Sequence, residues 1–163
     1  MKIISILLLF FFAYLGYLSG ENRPLLQNVS HRDSQTLNGL WHYIVDMNET
    51  GYYNYRWEAY DEQEKPRANA YFKNSKPKHS CDLIEYDFDS SPTLRVPGDW
   101  NSQNEKLFYY EGTLWYKKSF DVQKFDAQKR YYVHFGAVNY RADVYLNGIK
   151  LGMHIGGFTP FNF

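Results

Sequence analysis

Hydrophobic residues in this chain recur mostly at alternate positions, and no stretch after the opening apolar run sustains a helical period of useful length. From Leu37 to Asp46, Trp41, Tyr43 and Val45 set bulky β-formers two apart, which predicts a strand buried on one face and partly covered on the other. Thr113 to Val122 repeats the pattern, with Leu114, Tyr116, Lys118 and Phe120 on one face and Trp115, Lys117 and Ser119 on the other. Tyr131 to Phe135 predicts a further strand. In the next one Ala142, Val144 and Leu146 oppose Asp143 and Tyr145, until Asn147-Gly148 supplies the backbone angles of a tight hairpin turn. Ile149 to His154 is the return strand. Gly156 and Gly157 then break the ladder before an apolar tail in which Phe158, Phe161 and Phe163 are expected to lie uncovered. Between these elements, residues 49–91 are rich in charge and turn formers and predict a long decorated loop with short strands. Leu94 to Val96 leads into a Pro97-Gly98 turn. Strands separated by turns predict an all-β fold, an antiparallel β-sandwich.

The first residues follow a different rule. Lys2 supplies a positive start, and Ile3 to Leu18 is an apolar run containing Leu7, Leu8, Leu9, Phe10, Phe11 and Phe12. The run is shorter than the roughly 20 residues a spanning helix needs, and Ser19 and Gly20 follow it as small residues at a cleavage position. Residues 1–20 are therefore expected to be a cleaved signal peptide and not a stable membrane anchor, with a secreted or periplasmic product. Residues 21–36 then form an arm and 37–163 one domain. Asn28-Val29-Ser30 and Asn48-Glu49-Thr50 are glycan acceptors only if the chain passes through a eukaryotic secretory pathway, and that choice stays open.

Composition narrows the chemistry. The chain has 163 residues, and Lys plus Arg balance Asp plus Glu at 18 each, so no net field gathers nucleic acid. With 16 Tyr and 12 Phe, a fifth of the chain is aromatic, which suits first a sandwich core and second stacking on sugar rings. Both readings apply to Tyr52, Tyr53, Tyr55, Trp57 and Tyr60. Cys81 is the single cysteine, so no intramolecular disulfide forms. The five histidines show no ligand spacing, neither a nucleophile elbow nor a phosphate-cradling loop is present, and no cofactor or metal is expected.

Several segments together carry a resemblance. VPGDWNSQ at 96–103, YYEGTLWYKKSF at 109–120, FGAVNYRADVYLNG at 135–148 and GMHIGGFTPFNF at 152–163 closely resemble the N-terminal jelly-roll, galactose-binding-like domain of family 2 glycoside hydrolases, nearest to β-glucuronidases. The likeness runs from about Leu37 to Phe163 and is strongest after Leu94. It implies a sugar-binding sandwich that an immunoglobulin-like domain and a catalytic barrel follow in the parent enzyme. Both are missing from this chain, which is thereby expected to be C-terminally truncated.

The resemblance also implies a carbohydrate partner, a β-glucuronide or β-galactoside, and leaves a homo-oligomeric parent open. Retaining hydrolysis needs two carboxyl groups about 5 to 5.5 Å apart, and the family's pair belongs to the missing barrel, so no catalytic residue is expected here. Asn48-Glu49 and Asn104-Glu105 mimic the family's Asn-Glu pair but stand in polar loops. Loops of this domain approach the active site in the resembling enzymes. Trp100, Asn101, Tyr110 and Glu111 are on that ground the candidate substrate-proximal residues. Asp99, Gln103 and Asn139 are further hydrogen-bonding candidates, and Tyr109 a further stacking one. A purely structural role for these residues stays open. So do two other functions for the domain: a free-standing carbohydrate-binding module, and a scaffold for oligomer contacts.

Overall fold

The computed structural model describes residues 25–122 and 125–163. The leader expected over 1–20 and the first four residues of the expected arm lie outside them. The described chain is mostly strand and loop. Its strands are β1 (Gly39–Asp46), β2 (Thr93–Val96), β3 (Thr113–Lys117), β4 (His134–Phe135), β5 (Arg141–Leu146), β6 (Ile149–Ile155) and β7 (Phe161–Asn162). One helical turn, α1 (Trp100–Gln103), joins β2 to β3 by way of a single 3₁₀ turn.

β1 is the middle of an antiparallel sheet with order β2-β1-β3, in which Trp41 faces Leu94 and Tyr43 faces Tyr116. On one face, Tyr43, Leu94 and Leu107 are buried together, with Val45, Trp100, Tyr110, Leu114 and Tyr116 packed around them. Burial pushes the Tyr116 hydroxyl up to about 12, with Tyr43 and Asp99 adding to the shift. The other face is also covered. There Ile44 and Trp115 pack against Tyr71, Tyr86 and Phe88, all from the 49–91 loop. This double cover explains why all five residues of β3 are half-buried, where alternation suggested one wet face. The strand also stops at Lys117, five residues short of the expected end, because its pairing with β1 runs out at His42.

The 49–91 segment is a loop in which, among the described residues, the short strands expected there reduce to one bridge between Tyr53 and Ala59, and it holds two of the three buried clusters. Tyr60, Ala70 and Phe72 form one of them, against Trp115 and Tyr145. Its backbone turns through short 3₁₀ segments at Tyr60–Glu62 and Tyr71–Lys73.

β5 and β6 form the hairpin that Asn147-Gly148 predicts, with φ of 50° and 79° at those two residues. A register shift beside Val144 and Tyr145 places Leu151 between the pairs Val144↔Gly152 and Tyr145↔Lys150, a bulge in the return strand. Of the strand expected over Tyr131–Phe135, only His134–Phe135 pairs as a strand, with β7, and Val133 exchanges hydrogen bonds of 2.9 and 3.0 Å with Phe163. The tail is thus partly covered. Phe161 is buried between Phe135 and His154, whose rings lie 4.8 and 4.1 Å away. Phe158 alone of the three phenylalanines is fully open, at 96% exposure. The arm reaches this end as well: Leu26 N donates to the buried Asn162 Oδ1 at 2.9 Å.

Candidate sugar-facing site

α1 exists because Asp99 caps it. One carboxylate oxygen accepts from Ser102 N and the other from Ser102 Oγ, each at 2.8 Å. These bonds hold the Asp99 carboxyl below its ordinary value. Gln103, one turn on, ties the helix to β2: Oε1 accepts from Arg95 N at 2.8 Å, and Nε2 donates to Arg95 O at 3.1 Å and Asp99 O at 2.9 Å. A Cβ on Gly98 would stand 2.6 Å from Gln103 Nε2 and 3.0 Å from Arg95 O, so a larger residue there would push the Gln103 amide out of these bonds.

The candidate residues Trp100, Asn101 and Tyr110 are brought together by the same turn. Asn101 Nδ2 donates to the carbonyls of Leu107, Phe108 and Tyr110 at 2.6, 3.2 and 3.1 Å. Trp100 Nε1 donates to Tyr110 O at 3.2 Å. The Tyr110 hydroxyl donates to Thr113 O at 3.0 Å, and burial raises its pKa. Most polar atoms that sequence reasoning offered to a sugar are thus spent on the protein's own backbone. Asp99 and Gln103 are committed in the same way. Glu111 is exposed beside them, next to Phe108 and the 91%-exposed Tyr109, whose rings meet edge to face at 4.7 Å. This corner therefore exposes Phe108, Tyr109 and Glu111. Asn139 stands elsewhere, beside the Gly156-Gly157 bend, where a Cβ on Gly157 would come within 2.7 Å of its Oδ1.

The two Asn-Glu decoys are not paired. Glu49 Oε1 accepts from Thr113 Oγ1 at 2.8 Å, and Glu105 lies exposed in the 3₁₀ turn after α1. A charged group the sequence did not single out is more tightly built. Asp61, with its side chain 3% exposed, accepts at Oδ2 from Tyr145 Oη at 2.5 Å and Lys150 Nζ at 2.6 Å. Lys150 Nζ also lies 2.9 Å from Asp143 Oδ1. Burial pushes the Asp61 carboxyl up, but the bonds from Lys150 and Tyr145 outweigh it and hold it below the ordinary range. Burial likewise pulls Lys150 down, and Asp143 and Asp61 more than reverse it. The Tyr145 hydroxyl is driven upward by burial and by Asp61. Arg141 Nε also donates to Asp143 Oδ2 at 2.8 Å, so each carboxylate faces a cation and the two are not arranged as an acid facing a nucleophile. No periodicity marks this group, because Asp61 and its partners are 84 and 89 residues apart.

An open depression of about 510 Å³ lies on the 49–91 loop, lined among others by Arg67, Lys73, Lys76, Lys78 and Asp82. It holds a single carboxylate. Among the described residues no group of His, Cys, Asp and Glu could hold a metal ion, and no helix is long and apolar enough to cross a membrane.

No family profile matches the chain. It is similar to a β-glucuronidase of Formosa agariphila, 34% identical over 103 residues, covering 56% of this chain and 10% of that protein. A β-galactosidase of Thermoanaerobacter pseudethanolicus is 35% identical over 92 residues, covering 53% of this chain and 12% of that protein. Among solved structures, Bifidobacterium dentium β-glucuronidase, complexed with coumarin-3-O-glucuronide, superposes with a TM-score of 0.51 at 27% identity, over 82% of this chain and 18% of that one. The chain thus spans between a tenth and a fifth of the length of these relatives.

Proposed function

We propose that this chain, which is related in sequence and in fold to the β-glucuronidases and β-galactosidases of glycoside hydrolase family 2, is a jelly-roll sugar-binding domain serving an exported hydrolase of terminal β-linked glycosides. The observation that carries this reading is the convergence of sequence and structural likeness on those enzymes over a small fraction of their length. In this reading the acid and the nucleophile come from a barrel in the longer protein. The corner built by Trp100, Asn101, Tyr110 and Glu111 then lies along the approach to that active site, with Glu111 and Tyr109 facing outward.

The chemistry of the described residues supports that division of labour. Glycoside hydrolysis needs one carboxyl raised in pKa and one ionised across the scissile bond, in a site that excludes water. Asp61 and Asp143 share a lysine, and Glu49 and Glu105 stand in separate loops.

The test is turnover of nitrophenyl β-glucuronide and β-galactoside by the 163-residue chain and by a polypeptide extended through the barrel. The short chain is expected to release no nitrophenol, and the extended one to release it. Glu105→Gln in the extended enzyme leaves kcat nearly unchanged, whereas replacing either barrel glutamate removes it. Glu111→Gln raises KM if its loop lines the pocket. Clean turnover by the short chain, abolished by Glu105→Gln, overturns this reading.

A further inference from the structure

A hairpin tip in the 49–91 loop displays aromatic rings that core packing does not explain. Tyr53 and Ala59 form an antiparallel bridge, Asn54 N donates to Glu58 O at 3.1 Å, and Trp57 N donates to Asn54 O at 2.9 Å. Residues 55–57 therefore close a three-residue loop. The last position of such a loop takes left-handed backbone and ordinarily holds glycine. Here it holds Trp57, with φ of 59°, a conformation that crowds the Cβ of any L-residue and is an outlier for a bulky one. Asn54 pins the turn: its Oδ1 accepts from Arg56 N at 2.8 Å and Glu58 N at 3.0 Å, and its Nδ2 donates to Glu58 Oε2 at 2.7 Å.

Burial does not offset that strain. Trp57 is 70% exposed and Tyr55 77%. The indole is buttressed by Tyr53, with centroids 5.6 Å apart, and Tyr53 meets Tyr52 edge-on at 4.6 Å. The Arg56 guanidinium lies 5.2 Å over the Tyr55 ring. An exposed tryptophan on a pinned turn, braced by a neighbouring ring and flanked by hydrogen-bonding groups, suits stacking on a sugar. The indole covers the hydrogen-bearing face of a pyranose, and the guanidinium donates to hydroxyls or a uronate at its rim. A protein partner would need roughly 800 Å² from this side, more than a three-residue tip presents.

We propose that the Tyr55–Trp57 tip is a further carbohydrate site, with Trp57 as the stacking ring and Arg56 and Tyr55 beside it, which holds a β-linked polysaccharide. The choice of ligand class rests on the function proposed above; the site itself rests on the backbone of Trp57 and its exposure.

Affinity electrophoresis of the full chain in gels containing glucuronoxylan tests the site without requiring turnover. The native chain is expected to be retarded. Trp57→Ala and Trp57→Gly weaken the retardation about tenfold, and Trp57→Phe keeps part of it. Thermal unfolding separates recognition from packing. Trp57→Gly relieves the left-handed strain and leaves Tm unchanged or raised, whereas a structural ring would lower it. An unretarded native chain, retardation by Trp57→Gly equal to the native, or loss of retardation together with a lowered Tm in both Trp57→Gly and Trp57→Phe each overturns the proposal. Failure of the turnover assay with Trp57-dependent retardation intact removes only the hydrolase reading, and the reverse result removes only this site.

Discussion

Asp46 ends β1 as a buried carboxylate with no lysine or arginine bonded to it among the described residues. Its Oδ1 accepts from Thr50 N and Oγ1 at 2.9 and 3.3 Å, and its Oδ2 accepts from Gly51 N and Trp115 Nε1, both at 2.9 Å. A carboxylate is the side chain that accepts on both oxygens, so Asp46→Asn must turn an NH₂ toward donors. We expect this variant to lose about 2–3 kcal/mol in urea unfolding, most of it the cost of buried donors left unmatched. A result within experimental error of the native would show that Thr50 and Trp115 do not depend on this carboxylate. Gly51 follows from the same packing, since a Cβ there would lie 2.4 Å from the Tyr71 ring and 2.8 Å from Asp46 Oδ2. Gly51→Ala should cost about 1–3 kcal/mol by overpacking. None of this was legible in the sequence. Asp46 reads there as a polar strand end, and only the chain doubling back through Thr50 and Gly51 buries it.

At the scale of elements, local devices were legible and distant ties were not. Asn147-Gly148 announces its hairpin, because the turn chemistry lies within the turn itself. The corner at 97–112 was visible as a motif, but the bonds inside it were not: Asn101 staples three carbonyls drawn from residues six to nine positions further on. Asn101→Ala should therefore cost about 1–2 kcal/mol and speed amide exchange at 107–112, whereas a purely sugar-facing asparagine would change affinity alone. The tie between the β5–β6 hairpin and the 49–91 loop depends on pH. Asp61 titrates lower in the folded chain than its ordinary 3.8, so its contribution is complete above that value and is lost as pH falls through the folded one. Lys150 is raised above its ordinary 10.5, so its share is complete below that value and is lost as pH climbs through the folded one. Unfolding free energy measured against pH should accordingly drop below about pH 4, and Asp61→Asn should flatten that acid limb. Asp87 and Asp89 are also held low by lysines, but they are exposed and solvent screens them. An acid limb unchanged in Asp61→Asn would assign the titration to other carboxylates.

Across the described residues, the sheets β2-β1-β3, β4-β7 and β5-β6 share no strand hydrogen bonds, so side chains must join them. Sequence alternation gives most strands but not this joining, because it assigns each residue a face without saying what covers it. Trp115 shows the gap. Alternation puts it opposite Leu114 and Tyr116, on what looks like the wetter side of β3, yet the 49–91 loop folds over that side and makes it an interior position. Its ring lies 5.7 Å from Tyr71, 6.3 Å from Phe72 and 5.9 Å from Tyr145, and its Nε1 donates to Asp46. One side chain therefore connects the central sheet, both clusters of the loop and the β5–β6 hairpin, whose Tyr145 stacks on Phe72 at 4.4 Å. Removing it opens a cavity shared by these parts and takes one of its four donors from the Asp46 carboxylate at once. Trp115→Ala is expected to cost about 3–5 kcal/mol, much of a small domain's stability, and to raise amide exchange in β5 and β6 more than in β1. Trp115→Phe separates the two effects: it restores most of the ring but not the hydrogen bond, and should recover more than half of the loss. If instead Trp115→Ala leaves exchange in β5 and β6 unchanged, the Asp61–Lys150 tie and the Tyr145–Phe72 stack hold the hairpin without it, and Trp115 is not what joins the hairpin to the sheet.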